Sequence, residues 1–440
     1  MSTPLDLASD FPPVPTSDWE AAIHADLAGA DYQKKLVWRS PENIAVRPYY
    51  RRQDLPASVP PAHDSGKDWE IAEPGSEPPL AIRADHFHDS GATAVQELAF
   101  ALAAGVDRLA AGDRDVSFVF AVGSNYFFEI AKLRAARVLW AQAAQAFDAP
   151  ANLHLVVRTA VANKSLYDPY TNLLRVTTEA LSAVLGGCDA LIVEPFEFSP
   201  RLATNLQLLL KHEAHLNEVV DPAAGSYYIE WLTDALARDA WKLFQGVEAK
   251  GGYAQAQSFI DDAIDAARKT VETAVSSRRQ TLVGVNNFPD LQETNVSPDV
   301  AVRFDWRMAE PFERIRLRTE RHAHATGHAP VVLLLTRGDV KMRIARATFC
   351  ANFFGCGGFA IRESAELEPA DLIVLCSSDP EYLALAQEII PRVKVPVIVA
   401  GNPKDQIQAL ATAGVAGFVH VFSNIVDTLT EWQNRLGVIA

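Results

Sequence analysis

The sequence predicts an α/β protein with two successive parallel-sheet domains. Short apolar runs of strand length alternate with longer amphipathic stretches between residues 79 and 276, and the same alternation returns between residues 329 and 440. Short apolar strands that are each followed by a helix indicate a parallel sheet of right-handed βαβ units. The chain of 440 residues is long enough to bury the cores of two such domains.

Residues 1–55 precede the first alternation as a polar N-terminal arm. One amphipathic helix is predicted there, over residues 18–27, with Ser17 or Asp18 as its N-cap. Residues 56–78 follow and are rich in Pro, Ser and Gly, a composition typical of a linker. The arm is therefore expected to join the first domain through a segment without regular structure.

The first alternation, over residues 79–276, contains four predicted βα units. Each short apolar strand is followed by a helix with an apolar face at helical spacing. The predicted strands cover residues 80–84, 116–122, 153–159 and 190–194. The predicted helices cover residues 91–111, 125–147, 171–186 and 202–219, and two further helices at 227–249 and 253–276 end the segment.

Residues 277–328 are polar and contain proline, which predicts a second linker. Beyond it, five short apolar strands alternate with helices, at residues 331–335, 358–361, 372–375, 395–400 and 417–421. Five such strands with helices between them predict a doubly wound, flavodoxin-like domain over residues 329–440.

Composition argues against several classes of function. The formal net charge of −15 and the lack of a basic stripe disfavour a nucleic-acid-binding protein. No apolar run approaches the roughly 18 residues of a membrane helix, and the acidic, proline-rich start is unlike a signal peptide, so a cytoplasmic protein is expected. The four cysteines form no CxxC pair and lie in apolar patterns, which favours reduced, buried thiols over disulfides or zinc.

Several ordered motifs make the sequence resemble one enzyme family. Four stretches occur in the same order as similar stretches in the acyl-CoA barrel of methylmalonyl-CoA mutases: GATAVQELAFALA at 91–103, FAVGSNYFFEIAKLRAAR at 120–137, NKSLYDPYTNLLR at 163–175 and DPAAGSY at 221–227. The arm from Asp31 to Trp38 is similar to the family's N-terminal segment. The sequence of residues 163–170 resembles that of the small (beta) subunit of the family more than that of its large subunit. The chain therefore resembles a shortened small subunit.

The resemblance implies a cofactor and its binding loop. Members of the family hold adenosylcobalamin between a TIM barrel that binds the CoA ester and a C-terminal domain. That domain supplies the lower cobalt ligand, a histidine in an Asp-x-His-x-x-Gly loop. The matching loop here keeps Asp339 but has Lys341 in place of the histidine and Ile344 in place of the glycine.

These replacements argue against cofactor binding by this chain. A protonated lysine such as Lys341 offers no lone pair to cobalt, and Ile344 adds bulk where the cofactor would need close approach. Two later loops that are glycine-rich in the family, at 400–403 and 420–423, have lost glycines as well. We therefore expect this chain to bind no cofactor and adenosylcobalamin to reside in a partner subunit.

The resemblance also implies an incomplete barrel. A TIM barrel closes with eight βα units, and the four units visible here resemble the second half of the family's barrel. The expected architecture is a partial TIM-type barrel followed by a flavodoxin-like, degenerate cobalamin-binding domain. Four parallel strands would leave two open edges and an apolar inner face. A second copy of the chain, the large subunit or the N-terminal arm could cover them, and association with another chain is favoured.

Two residues are candidates for substrate chemistry. His86, at the end of the first predicted strand, aligns with the family's catalytic histidine, which contacts the thioester carbonyl. The alternative for His86 is a structural histidine paired with Asp85 or Asp89. Arg158 stands where the large-subunit pattern has a glutamine near the cofactor and could bind a carboxylate or phosphate. The favoured alternative for Arg158 is an ion pair with a buried acid.

Three other motifs have structural explanations. His212 and His215 are one residue short of the H-E-x-x-H spacing of zinc helices, so no metal site is expected. Asp168 is expected to cap the helix that follows it. The glycines at 355–358 follow a helix and precede a strand, which predicts helix termination and not a phosphate-binding loop.

The favoured interpretation is a non-catalytic small subunit of an adenosylcobalamin-dependent mutase that interconverts methylmalonyl-CoA and succinyl-CoA. Isomerase activity would then belong to a heterodimer with a large catalytic subunit, and self-association through the open barrel edge is the other assembly considered. Two alternative functions stay open. An active isomerase that uses His86 predicts cobalamin binding by the isolated chain, and a free-standing CoA-ester binding module predicts acyl-CoA binding without a partner.

Overall fold

The computed structural model describes residues 13–56, 68–149, 153–293 and 306–438. The first residues of the arm and parts of both predicted linkers, 57–67 and 294–305, lie outside these ranges. The described residues contain two five-stranded parallel sheets and one short antiparallel ribbon. The predicted α/β class is confirmed, and neither sheet closes into a barrel.

The N-terminal arm carries two helices and the antiparallel ribbon. They are α1 (Thr16–Asp26), α2 (Tyr32–Leu36), β1 (Trp38–Arg39) and β2 (Ala45–Val46). The predicted capping of α1 by Ser17 or Asp18 is wrong, because the N-cap is Pro15 and no side chain caps the helix. Proline's fixed φ already supplies the extended conformation that an N-cap needs. Ile44 and Val46 of the ribbon join the core of the first sheet, so the arm packs on that domain.

The first sheet has five strands, one more than predicted. They are β3 (Glu70–Ala72), β4 (Ile82–Arg83), β5 (Ser117–Val122), β6 (His154–Thr159) and β7 (Ala190–Ile192). Across the sheet their order is β3-β7-β6-β5-β4, and all neighbours are parallel. Strand β3 lies inside the predicted linker 56–78, where the prediction of an irregular segment is wrong. Pairing with β7, which places Ile71 beside Leu191, holds these three residues extended.

One face of this sheet is covered by helices. The helices of the first domain are α3 (Asp85–Asp89), α4 (Ala94–Ala110), α5 (Tyr126–Ala146), α6 (Pro169–Leu185), α7 (Pro200–Leu208), α8 (Tyr227–Glu248) and α9 (Gln257–Ser276). Strand residues such as Phe118, Val157 and Leu191 share one core with residues of α4, α5, α6 and α8. Helix α7 continues only as one π-helical turn to Glu213, so the helix predicted to residue 219 is shorter.

The chain itself covers the other face of the first sheet. Four strand residues on this inner face are 3% exposed or less: Val119, Val156, Ala190 and Ile192. They pack with Ala72 and Ala81, which flank the connection from β3 to β4. Because β3 and β4 are parallel strands at opposite edges, that connection (residues 73–81) crosses the inner face. The expected exposed inner face is therefore wrong for the described residues, although β3 and β4 do remain as open edges.

Helix α10 (Glu310–Thr326) comes between the two sheets in the sequence, inside the predicted linker 277–328. The linker prediction is therefore wrong for residues 310–326. Phe312 and Ile315 of α10 join the core of the second domain. Glu313 on the same helix accepts a hydrogen bond from the backbone N–H of Leu166 in the first domain, at 2.8 Å. Helix α10 therefore holds the two domains together.

The second sheet matches its prediction closely. Its strands are β8 (Val331–Thr336), β9 (Ala360–Ser364), β10 (Leu372–Cys376), β11 (Val397–Ala400) and β12 (Phe418–Val419), in the order β12-β11-β10-β8-β9. The helices after them are α11 (Val340–Gly355), α12 (Tyr382–Ile389), α13 (Ile407–Thr412) and α14 (Ile425–Arg435). Helices α11 and α14 pack on one face, and α12 and α13 pack on the other.

Two predictions from composition can be compared with this fold. All four cysteines are buried free thiols, as expected. Among the residues that the structure describes, no helix combines the length and the apolar character needed to cross a membrane.

Candidate functional site

The carboxyl ends of the strands in the first sheet carry a cluster of charged side chains around Arg158 of β6. The carboxylates come from two segments: Asp85 and Asp89 of α3, and Glu194 just after β7. Arg158 donates to Asp85 at 2.6 Å and to Glu194 at 3.3 Å, and it also donates to Asp89. Asp85 accepts two further hydrogen bonds from Arg83. We refer to these five side chains as the Arg158 cluster.

Two members of the Arg158 cluster, Arg158 and Asp85, are held in their charged forms. Burial lowers the pKa of Arg158, but the charges of Asp89 and Asp85 outweigh burial and raise it. Burial likewise raises the pKa of Asp85, but the hydrogen bond from Arg83 and the charge of Arg158 outweigh that effect and lower it. Glu194, which has only the longer contact with Arg158, keeps a raised pKa because burial dominates. The favoured alternative for Arg158, an ion pair with a buried acid, is what the geometry shows.

His86 is exposed and lies inside α3, not at a strand end as predicted. Strand β4 ends at Arg83, before the predicted end at residue 84, and the chain enters α3 at Asp85. The two carboxylates considered as structural partners of His86, those of Asp85 and Asp89, bind Arg158 instead. The structure therefore places His86 beside the Arg158 cluster in sequence but not in its hydrogen-bond network.

His88, which sequence reasoning passed over, belongs to a buried ionic network. Its Nδ1 lies 3.3 Å from a carboxylate oxygen of Glu97 on α4. Lys132 of α5 donates to the same carboxylate at 2.6 Å and forms an ion pair with Glu129, also at 2.6 Å. The side chains of Glu97 and Lys132 are fully buried. Burial lowers the pKa of Lys132, but the charges of Glu129 and Glu97 outweigh burial and raise it.

The position of this network follows from the short strand β4. Strand β4 pairs with β5 only as far as Val119, so the backbone of Ala121 lacks a neighbouring strand on that side. Glu97 accepts the Ala121 N–H at 3.1 Å, and Lys132 donates to the Ala121 carbonyl at 2.7 Å. Charged side chains thus satisfy buried backbone groups that a longer strand would have paired. One feature of the sequence points to this network: Glu97 and Lys132 are charged residues on otherwise apolar helix faces.

The stretch at 163–170 links the first domain to α10. The Nζ of the buried Lys164 donates to both carboxylate oxygens of Glu179, each at 2.8 Å. The Tyr167 hydroxyl donates to Glu320 of α10 at 2.9 Å. Residues 163–170, which resemble a motif of the family, therefore form an internal ion pair and a contact between the two domains.

Two of the structural explanations are confirmed, those for Asp168 and for the glycines at 355–358. The Asp168 carboxylate caps α6. Helix α11 ends at Gly355, and Gly358 follows with a φ of +73°, as helix termination requires. His212 lies in the π-helical turn after α7, and His215 follows just beyond it.

The loop after β8 turns directly into helix α11. Gly338 has a φ of +77°, and Asp339 caps the helix by accepting the backbone N–H of Met342 at 2.8 Å. Lys341 is exposed in the first turn of the helix. Ile344 is 55% exposed one turn later. The Asp339 carboxylate therefore acts as a helix cap, in contact with backbone and not with another side chain of this loop.

A carboxylate of the chain occupies the crevice between β8 and β10, where the strand order reverses. Glu381 accepts the backbone N–H of Asp339 at 3.1 Å and the hydroxyls of Ser377 and Ser378, each at 2.6 Å. The serine hydroxyls and these backbone N–H groups lower the pKa of Glu381 to about 2. Any side chain at Gly338 would collide with Glu381. Open α/β sheets bind ligands at such a reversal, but here the donors bind an internal anion.

Comparisons with known proteins agree on one family. Residues 68–329 match the family model described as methylmalonyl-CoA mutase. A Porphyromonas gingivalis protein named methylmalonyl-CoA mutase small subunit is 37% identical, over 82% of this chain and 66% of its own length. A Streptomyces virginiae small subunit is 33% identical over 82% and 64%, and the large subunit from the same species is 40% identical over 48% and 32%. The chain thus spans about two thirds of the length of the small subunits that it matches.

Proposed function

Because this chain belongs to the methylmalonyl-CoA mutase family, we propose that it is a non-catalytic small subunit of an adenosylcobalamin-dependent mutase. The heterodimer would interconvert methylmalonyl-CoA and succinyl-CoA. This chain would associate with and stabilise a large subunit that holds the cofactor and carries out the reaction. The names of its relatives, which include small and large mutase subunits, support this assignment.

The first domain is interpreted as a shortened TIM-type barrel. Strands β4 to β7 are neighbours in chain order, and β3, which precedes them, pairs with the last of them. In a closed barrel the first strand also lies beside the last. This arrangement is what results if the strands after the first are missing and residues 73–81 replace them.

The observation that carries the proposal is how the interior of this domain is filled. Residues 73–81 cross the inner face of the sheet, where the barrel of the family holds a CoA ester. At the strand ends, Arg158 binds Asp85, Asp89 and Glu194, all from this chain. An acyl-CoA would have to displace these ion pairs, so the domain is suited to a structural role.

The second domain is interpreted as a flavodoxin-like, degenerate cobalamin-binding domain. Its strands lie in the order 2-1-3-4-5, the order of flavodoxin-like folds. Its residues do not fit the cofactor, since Asp339 caps α11 and Lys341 stands in the ligand position as an exposed residue of that helix. In the crevice between β8 and β10, Glu381 accepts the backbone N–H of Asp339. We infer that the cofactor resides in the large subunit.

Co-expression with the large mutase subunit of the same organism tests this proposal. We expect a heterodimer on a sizing column, with mutase activity in the complex and none in the isolated chain. Elution of the two chains at their separate masses would contradict the role as a partner. Turnover of methylmalonyl-CoA by the isolated chain with added adenosylcobalamin would contradict the non-catalytic assignment.

A further inference from the structure

A group of exposed apolar side chains lies on α6 and on the loop after α9. Two belong to α6, Tyr170 at 77% and Leu174 at 68% exposure. Three belong to the loop at 282–291, and they are Val283, Phe288 and Leu291 at 48%, 63% and 54% exposure. We call these five residues the α6 surface.

The two segments of the α6 surface are in direct contact. Arg175 of α6 donates to the backbone carbonyl of Val283 at 2.5 Å. Gly284 approaches Asp168, the cap of α6, so closely that an added Cβ would lie 3.0 Å from its carboxylate. The loop is also fixed on its other side, because Asn352 of α11 accepts the backbone N–H of Phe288 at 2.7 Å. The two segments that carry the apolar side chains are therefore in contact with each other, and the loop is anchored to α11.

Phe288 is held in an unfavourable backbone conformation. Its φ is +53°, in the left-handed region, where a bulky side chain is a genuine outlier. Glycine or asparagine would adopt such a conformation more easily. Since the ring is 63% exposed, its packing within this chain offers little compensation. An exposed phenylalanine at a strained position is explained if the ring is buried by a partner.

The size of the α6 surface fits the centre of a protein–protein interface. Two aromatic and three aliphatic side chains at these exposures present on the order of 500 Å² of apolar area. That is comparable with the largest apolar patch of a typical monomer, which is often functional, and is a large part of the roughly 800 Å² that each partner buries in a standard interface.

Charge and the proposed heterodimer indicate which protein covers the α6 surface. Two copies of a chain with a net charge of −15 repel one another, which disfavours a second copy of this chain. Asp290 is exposed between Phe288 and Leu291, so two copies that faced each other through this surface would also bring like charges together. We propose that the α6 surface is the docking site for the large mutase subunit. This inference rests on the function proposed above.

The test compares the affinity of the large subunit for variants of this chain. Tyr170→Ser, Leu174→Ser and Phe288→Gly each remove an apolar side chain from the α6 surface, and Leu80→Ser is the matched control. Leu80 is 78% exposed at the edge next to β4, away from this surface. We expect Kd to rise at least about 30-fold when Tyr170→Ser and Leu174→Ser are combined in one variant and in Phe288→Gly, and to stay within about threefold in the control, as interface hot spots behave.

Phe288→Gly also separates docking from folding. Glycine relieves the strained φ, so the isolated variant should unfold at the same or a higher urea concentration than the wild type while it binds the large subunit more weakly. Wild-type affinity in all three α6-surface variants would overturn the docking site and leave the proposed function intact. Loss of affinity in Leu80→Ser alone would place the interface at the sheet edge.

Two other outcomes identify a different failure. If the wild-type chain does not bind the large subunit, the proposed function fails and the docking site fails with it. If the isolated chain is a homodimer that Tyr170→Ser and Leu174→Ser dissociate, the occupant is a second copy, and the assignment to the large subunit is overturned.

Discussion

Arg158→Met distinguishes a structural Arg158 cluster from a substrate-binding arginine. Methionine keeps much of the length of the side chain and its packing, but it removes the cation that faces Asp85, Asp89 and Glu194. The Asp85 side chain is fully buried, and Arg83, its remaining partner, is 36% exposed. The substitution therefore leaves a buried carboxylate with a partner that water screens in part.

The magnitude follows from these contacts. Removing one member of a buried ion pair costs about 3–5 kcal/mol, because the other charge is left uncompensated. Arg83 still donates to Asp85, so we expect the lower end, about 3 kcal/mol of unfolding free energy at neutral pH. The lowered pKa of Asp85 contributes stability above its unfolded value of about 3.9, and this is lost as pH falls through the folded value. The difference between the two proteins should therefore shrink on acidification.

Urea unfolding followed by circular dichroism, at neutral pH and at about pH 3, below the unfolded pKa of aspartate, measures this difference. Arg238→Met is the control, because that arginine is 74% exposed and pairs with Asp234 on the surface of α8, so its loss should leave the stability nearly unchanged. The reasoning is refuted if Arg158→Met and the control have the same stability. Refutation would be complete if Arg158→Met then abolished the activity of the heterodimer, since the guanidinium would be a substrate ligand.

Three further predictions test the other groups of the site. His86→Ala should leave the stability within about 0.5 kcal/mol and the activity of the heterodimer unchanged, because His86 is exposed; a hundredfold loss of activity would return it to the active site. Lys132→Met should cost about 3–5 kcal/mol of unfolding free energy, since it leaves Glu97 and Glu129 without their shared cation, and an unchanged urea midpoint would contradict this. Lys341→His should not confer adenosylcobalamin binding in equilibrium dialysis, because residue 341 lies within a formed helix; a cobalt–imidazole absorbance change would show that the histidine alone was missing.

The regular strands and helices could be predicted from the sequence because apolar periodicity decides them. All five strands of the second sheet and four of the first lie where the apolar runs are. Strand β3 could not be found in this way, because three residues carry no periodicity and only pairing with β7 holds them extended. Helix α10 was predicted to be linker because polar and charged residues dominate it, and two of its charged side chains, Glu313 and Arg316, are buried.

The candidate site was predicted unevenly for a similar reason. The replacement of the family's histidine by Lys341 was visible in the sequence, because it concerns a single position in a motif. The Arg158 cluster was anticipated only as an ion pair with an unnamed acid, since its carboxylates come from segments distant in sequence. The crossing of the inner face by residues 73–81 depends on strand order, which local patterns do not encode. Four strands alone would have left that face open.

Equilibrium dialysis against adenosylcobalamin, carried out on the isolated chain and on its complex with the large subunit, tests the central claim most directly. A non-catalytic small subunit predicts no binding by this chain alone and one cofactor for each heterodimer. Saturable binding by the isolated chain, or two cofactors for each heterodimer, would contradict that account and indicate a cofactor-binding isomerase.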